Sequence, residues 1–163
     1  MVKIDILIKE GKISKINELE MERYINFFEK SHKNNLEHCN FVIKAFPRWS
    51  IISGYYAMHD ITKLLLAKEF RIKIEIEVHA TTIKVLRELI KNKDILLLME
   101  KGYSEFLFLT NDLAKAKKDR VKAQYYTGTE YMRKDYEKRA EEFMKDVVSP
   151  FISKIKKLAE KND

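Results

Sequence analysis

Apolar residues recur every three or four positions along most of the chain, which is the spacing of helices that bury one face. This spacing predicts helices at about residues 17–46, 49–70, after 78, 94–126 and from 129 onward. The longest apolar stripe belongs to the last helix and consists of Tyr136, Ala140, Phe143, Val147, Phe151, Ile155 and Leu158.

Individual residues predict where these helices begin and break. Asn17, with Glu20 three positions later, has the spacing of a capping box at the start of the first helix, and Pro47 ends that helix. The polar stretch "EKSHKNNLEH" (29–38) predicts a bent or frayed middle for it. Thr129 is placed to cap the last helix, which Pro150 is expected to kink or interrupt.

Two short segments alternate apolar and polar residues instead, which is the pattern of a half-buried strand. "VKIDILIK" does so over residues 2–9, with Gly11 expected to turn the chain into "KISKI", and "RIKIEIEV" does so over 71–78. Because lone strands leave backbone groups unpaired, we expect the two segments to pair in a small sheet at one end of the helices. The fold class is therefore mainly α with a small strand or hairpin element (2–14, 71–78).

Composition narrows the class of protein. The chain has 163 residues, of which 45% are hydrophobic and 35% charged, and it contains only 4 glycines and 2 prolines, which favours one helical domain over residues 1–163. No uninterrupted apolar run is long enough to span a membrane, and the charged start is unlike a signal peptide. The single cysteine cannot form an internal disulfide, so a cytoplasmic location is expected.

Positive charge is concentrated in one stretch. The net charge is +7, and between Lys115 and Lys122 five basic residues stand against Asp119 alone. An acidic partner such as RNA fits this distribution, whereas a merely solvated basic surface is the alternative.

The stretch around Arg120 combines the groups that recognise nucleic acids. An arginine fork can grip a phosphate, and tyrosine rings can stack on bases. We predict a nucleic-acid-binding site formed by Lys117, Lys118, Arg120, Lys122, Tyr125 and Tyr126. The alternative is a solvated helix end whose lysines complement the helix dipole.

Other constellations indicate packing. Ser53, Ala57 and Ile61 recur every four residues beside Gly54, which predicts a seam where another helix approaches closely. The four histidines and Cys39 lack the spacing of a zinc site, and the glycines are isolated, so we expect neither a metal nor another cofactor.

Residues 49–86, "WSIISGYYAMHDITKLLLAKEFRIKIEIEVHATTIKVL", resemble the HEPN domain, a helical family named for nucleotide binding in higher eukaryotes and prokaryotes. The positions that carry the resemblance are Ser53, the "YYAM" of 55–58, Leu65–Leu66 and His79. Downstream, "AKKDRVKAQYY" and "RAEEFMKDV" look like the family's arginine segment and closing helix.

This resemblance implies an up-and-down bundle of four to five helices that forms a homodimer. Many members are metal-independent endoribonucleases of toxin–antitoxin systems with an Arg-x4–6-His motif, and several pair with a minimal nucleotidyltransferase. Here Tyr125 stands where histidine is expected after Arg120, and no histidine follows His79. With a pKa of about 10, a phenol is a poor general base, so Arg120 and Tyr125 are catalytic candidates only in a degenerate motif.

The sequence thus favours a HEPN-like, cytoplasmic domain that binds RNA or a nucleotide, as part of a toxin–antitoxin or nucleotidyltransferase-paired system. The alternatives are a metal-independent endoribonuclease toxin and a non-catalytic dimeric protein-interaction module.

Overall fold

One helix, α3, forms the centre around which the other elements pack. The computed structural model describes residues 4–118 and 130–160, and within them the side chains of 4–111 and 134–160. The elements in chain order are α1 (Ile4–Lys9), β1 (Ile13–Lys15), α2 (Glu18–Val42), α3 (Pro47–Phe70), β2 (Ile72–Ile74), α4 (Val78–Ile90), α5 (Lys93–Lys118), α6 (Glu130–Phe143), a π-helical turn (Met144–Val148) and α7 (Ser149–Ala159).

Most residues of helix α3 are buried, as expected for a helix with apolar residues around most of its circumference, whereas Trp49, Tyr56 and Lys68 are exposed. Pro47 lies in its first turn, where a missing N–H costs nothing. Arg71 ends the helix in the left-handed region with φ of 54°, and its N–H donates to the Ala67 carbonyl at 3.1 Å. Helix α3 therefore has defined ends and serves as the core onto which its neighbours dock.

Helix α2 runs antiparallel to α3. Its polar side chains meet α3 in reverse order: Cys39 lies beside Ser50, His38 beside Ser53, and Ser31 beside Asp60, with the last pair joined at 2.6 Å. The predicted Asn17 cap is confirmed, since its side chain accepts from the Glu20 N–H at 2.9 Å. The prediction of a frayed middle is wrong, because these polar residues are held by hydrogen bonds within or across the helix pair.

The small-residue seam on α3 is a packing seam, as predicted. A Cβ added at Gly54 would lie 3.0 Å from Val148 Cγ2 and 3.2 Å from Cys39 Sγ, so two neighbouring elements approach the bare backbone. On α5, Gly102 plays the same part, since a Cβ there would lie 2.9 Å from Met58 Cε. Together with Phe143 of α6, which would lie 3.3 Å from the Gly54 Cβ, these contacts show that the π turn, α2, α5 and α6 pack closely against α3 at its two glycine contacts.

The predicted closing stripe is buried in the main core, where Ala140, Phe143, Val147, Phe151 and Ile155 are all sequestered from solvent. The expected interruption at Pro150 is also found, as a π-helical turn directly before α7. Proline has no N–H to donate one turn back, so the ladder shifts, and the Ser149 N–H donates to the Met144 carbonyl instead.

The predicted small sheet is found, but its first strand is Ile13–Lys15, within "KISKI", and only its second strand, Ile72–Ile74, comes from an alternating segment. Strands β1 and β2 form an antiparallel two-stranded sheet with Ile13 opposite Ile74 and Lys15 opposite Ile72. The sheet packs with Leu7, Leu66 and other apolar residues in a second, smaller core.

The prediction that residues 2–9 form a strand is wrong, because Ile4–Lys9 is a helix. Helical spacing turns Ile4 and Leu7 toward the small core, where strand spacing would have grouped Ile4 with Ile6. Gly11, with φ of 65°, ends this helix in place of turning a hairpin. Its N–H donates to the Ile8 carbonyl and the Lys12 N–H to the Leu7 carbonyl, which is the pattern of a Schellman motif.

These elements together form a mainly helical bundle with one small antiparallel sheet, which confirms the fold class read from the sequence. Within the described residues, no helix combines the length and the apolar character needed to cross a bilayer.

Candidate functional site

A group of buried and half-buried polar side chains lies where α3, α4 and α5 meet. Tyr55 of α3 hydrogen-bonds His79 of α4, with 2.9 Å between the phenol oxygen and Nδ1. The rings of His59 and His79 lie 4.9 Å apart between centroids, and Phe106 of α5 stacks on Tyr55 at 4.7 Å. Tyr55 and His79 are also among the positions that carry the family resemblance noted in the sequence.

The tautomer of His59 follows from its neighbour. The Thr82 hydroxyl donates to the Val78 carbonyl at 2.7 Å, so toward His59 Nε2, at 3.1 Å, Thr82 can only accept. The ring hydrogen therefore lies on Nε2, and Nδ1 presents a lone pair. This atom is buried without a hydrogen-bond partner among the described residues, since Asp60 Oδ1 is 3.8 Å away.

His59 is 1% exposed, and this burial lowers its pKa below the usual 6.5. The nearby Asp60 carboxylate acts in the opposite direction, but its separation from Nδ1 is too long for a hydrogen bond. The other carboxylate oxygen accepts from Ser31 at 2.6 Å and from Asn35 at 3.0 Å, so Asp60 is satisfied by α2. His59 is consequently a neutral imidazole within a hydrogen-bonded helix junction.

The second histidine of the cluster is also neutral. Burial lowers the pKa of His79, and the positive charges of Lys63 and of His59, when His59 is protonated, oppose a proton on His79 further. Burial raises the pKa of Tyr55, so the phenol keeps its proton, and its oxygen is hydrogen-bonded to His79 Nδ1. Because that hydrogen bond engages Nδ1 and the lowered pKa makes the ring a weaker proton acceptor, His79 is poorly placed to act as a general base. The cluster joins three helices and offers little acid–base chemistry.

The residues predicted to bind nucleic acid fall largely outside this description. Lys117 and Lys118 lie in the last turn of α5, and their side chains are not among those described. Arg120, Lys122, Tyr125 and Tyr126 lie outside the described residues.

Sequence reasoning missed the partners of the buried polar residues. His59 and Asp60 form a polar dipeptide inside the apolar stretch "YYAMHDITKLLL", which is the signal that would have indicated a buried network. Their partners Ser31, Asn35 and Thr82 lie on other helices, and helical periodicity alone does not align helices with one another.

An exposed aromatic corner forms a second feature of the surface. At the turn between α2 and α3, Phe41 is 85% exposed, Phe46 61% and Trp49 60%. Single exposed apolar side chains are ordinary, but a group of neighbouring aromatic residues is typical of an interaction surface.

His38 and Cys39, which lack the spacing of a zinc site in the sequence, make other contacts in the structure. His38 Nδ1 lies 2.7 Å from Ser53 Oγ, and Cys39 is buried beside Ser50 with its pKa raised by burial. Among the described residues, no group of three histidine, cysteine, aspartate or glutamate side chains could hold a metal ion.

Comparisons of the chain with protein-family models, with curated proteins and with solved structures found no significant match.

Proposed function

We propose that this chain is a HEPN-like domain that binds RNA or a nucleotide through the basic segment at the end of α5. The observation that carries the proposal is the charge distribution: five basic residues against Asp119 between Lys115 and Lys122. The segment begins on a helix whose Met99 and Leu109 are buried in the main core. A site that starts on such an anchored helix has a rigid support on at least one side.

Each residue type of the segment has a role in this proposal. Arg120 grips a phosphate through its planar fork, and Lys117, Lys118 and Lys122 attract the polyanion at longer range. Tyr125 and Tyr126 stack on exposed bases.

The positions and hydrogen bonds of the histidines favour RNA binding over RNA cleavage. No histidine follows Arg120 in the chain, and those of the described core, His59 and His79, are held neutral in a hydrogen-bonded junction. A homodimer in the cytoplasm, paired with an antitoxin or a minimal nucleotidyltransferase, is the setting that the HEPN resemblance supplies for this proposal.

The test is fluorescence anisotropy of a labelled single-stranded RNA, with unlabelled ATP as competitor and EDTA present throughout. We expect Arg120→Ala to weaken RNA binding about tenfold, because a charge-assisted fork is lost. Arg23→Ala removes the same charge from an exposed position on α2 and serves as the matched control. Equal losses in both variants would reduce the proposal to nonspecific attraction, and RNA cleavage that depends on Arg120 would replace it with the endoribonuclease alternative.

A dimeric protein-interaction module is the second candidate, and the exposed aromatic corner of Phe41, Phe46 and Trp49 favours it. Light scattering on the wild type and on Trp49→Ser measures whether this corner joins two copies. A dimer that dissociates in the variant, together with no RNA binding by the wild type, would favour this candidate.

A further inference from the structure

A cleft of about 320 Å³ opens between α2 and α7, and α3 forms its floor. Helices α2 and α7 each pack against α3 but make little direct contact with each other, which leaves a groove along the central helix. The apolar lining is aliphatic: Ile61, Leu64 and Leu65 of α3 form the floor, and Ile155 and Ala159 of α7 form the adjoining wall. The volume falls within the range of about 300–1,000 Å³ that is typical of small-molecule sites.

Lysines from all three helices surround this floor. Lys33 is paired with Glu29 at 3.1 Å, whereas Lys68 and Lys156 form no ion pair with any residue that the structure describes. Glu160 also lines the cleft, so three lysines and two glutamates leave one positive charge in excess. The cleft therefore favours an anionic group at its rim.

A buried histidine gives the cleft a hydrogen-bond acceptor. His32 lines the cleft yet is only 3% exposed, and its Nδ1 lies 3.0 Å from the Phe28 carbonyl. A carbonyl can only accept, so Nδ1 carries the hydrogen. Burial lowers the pKa of His32, so the ring is neutral and its Nε2 is a hydrogen-bond acceptor. A ligand that donates an O–H satisfies this atom, whereas a bare carboxylate placed against it is repelled.

The three features define one class of ligand. We infer that the cleft binds an aliphatic hydroxy acid, whose chain lies on the apolar floor, whose carboxylate contacts Lys68 and Lys156, and whose hydroxyl donates to His32. Apart from the imidazole of His32, none of the described residues that line the cleft has an aromatic ring on which a nucleobase would stack. An aliphatic body therefore fits better than a nucleotide, and this site is independent of the basic segment after α5.

A second cleft beside the first could hold part of a longer hydrocarbon chain of the ligand. It has a volume of about 420 Å³ and shares the lining residues Lys156 and Glu160 with the first, so the two clefts are adjacent along α7. Leu36, Met144 and Ile152 contribute further apolar surface there. A hydrocarbon chain that leaves the first cleft can continue in this direction.

Isothermal titration calorimetry with 3-hydroxydecanoate, decanoate and inorganic phosphate tests the inference. We expect saturable binding of 3-hydroxydecanoate, weaker binding of decanoate and none of phosphate. Replacing both Lys68 and Lys156 by Gln should weaken 3-hydroxydecanoate binding about tenfold, while Lys9→Gln, on the exposed face of α1, leaves it unchanged.

The role of His32 is tested by the preference between the two acids. The wild type is expected to favour 3-hydroxydecanoate about fivefold, the effect of one hydrogen bond. His32→Leu replaces the imidazole by an apolar side chain of similar length and should erase that preference. The variant should still bind decanoate, which also shows that it is folded. No saturable binding of 3-hydroxydecanoate, an unchanged preference in His32→Leu, or displacement by AMP would overturn the inference. Arg120→Ala should bind both acids normally, so failure here is distinct from failure of the RNA-binding proposal.

Discussion

Thr82 fixes the protonation of His59 by donating its own hydrogen elsewhere. Its hydroxyl lies 2.7 Å from the Val78 carbonyl and 3.1 Å from His59 Nε2, so the imidazole must be the donor in the second contact. A threonine that satisfies its helix backbone thus becomes the acceptor that holds a buried histidine of the neighbouring helix in one tautomer.

Thr82→Val should destabilise the protein, because it removes the buried hydroxyl that accepts from the His59 N–H and donates to the Val78 carbonyl. We expect the free energy of unfolding in urea to fall by about 1–3 kcal/mol. Thr110→Val is the matched control, since Thr110 also donates to a backbone carbonyl of its own helix at 3.0 Å but accepts from no histidine. That variant should stay within about 0.5 kcal/mol of the wild type, and equal losses in the two would contradict the proposed role of Thr82.

The free energy of unfolding should decrease as the pH is lowered from neutral. Burial lowers the pKa of His32, His59 and His79 below the 6.5 of an exposed imidazole. Below that value the unfolded chain takes up protons that the folded protein resists, so stability is complete above about 6.5 and is lost progressively as the pH falls.

Urea unfolding at pH 7.5 and 5.0 measures this loss. His59→Gln retains a donor toward Thr82 but cannot titrate, so its stability should fall less between the two pH values than that of the wild type. A wild-type stability that is constant or higher at pH 5.0 would show that the buried histidines do not resist protonation.

Two glycines that both lie at close helix contacts should respond differently to alanine. At Gly54 the added Cβ would meet Val148 Cγ2 at 3.0 Å, Cys39 Sγ at 3.2 Å and Phe143 Cε1 at 3.3 Å, so it is confined on three sides. We expect Gly54→Ala to cost about 1–3 kcal/mol, as is usual for overpacking.

At Gly102 the nearest atoms, Cε and Sδ of Met58, belong to the end of one flexible side chain, which can move aside. The better helix propensity of alanine, worth about 1 kcal/mol, offsets much of the remaining strain. Gly102→Ala should therefore be destabilised by less than Gly54→Ala in thermal unfolding, and the reverse order would mean that Met58 is held more rigidly than the Gly54 neighbours.

Local signals in the sequence were sufficient to predict most of the helices. Three predicted features each depend on residues within a few turns of one another: the Asn17 cap, the Pro150 interruption and the apolar stripe from Tyr136 to Leu158. The structure confirms Asn17 and Pro150 in their predicted roles. The segment 2–9 was read wrongly because alternation and helical spacing differ little over so few residues, and the Schellman ending at Gly11 decides for the helix.

The polar contacts could not be read in the same way, because they join residues far apart in the chain. His59 meets Thr82, and Asp60 meets Ser31 and Asn35, only once α3 has docked against α2 and α4. The site residues from Arg120 to Tyr126 lie outside the described residues and stay a prediction.

The salt dependence of RNA binding distinguishes a phosphate contact at Arg120 from a general basic surface. Each phosphate that a protein neutralises releases counterions, and for single strands the slope of log K against log salt changes by about 0.7 per contact. We expect Arg120→Ala to reduce the slope by the equivalent of about one phosphate contact. Arg23 is exposed on α2, far from Arg120 in the sequence, and Arg23→Ala should leave the slope unchanged. Anisotropy titrations at several salt concentrations measure both slopes. A parallel shift in Arg120→Ala, with lower affinity but the wild-type slope, would mean that Arg120 supports the site without contacting phosphate.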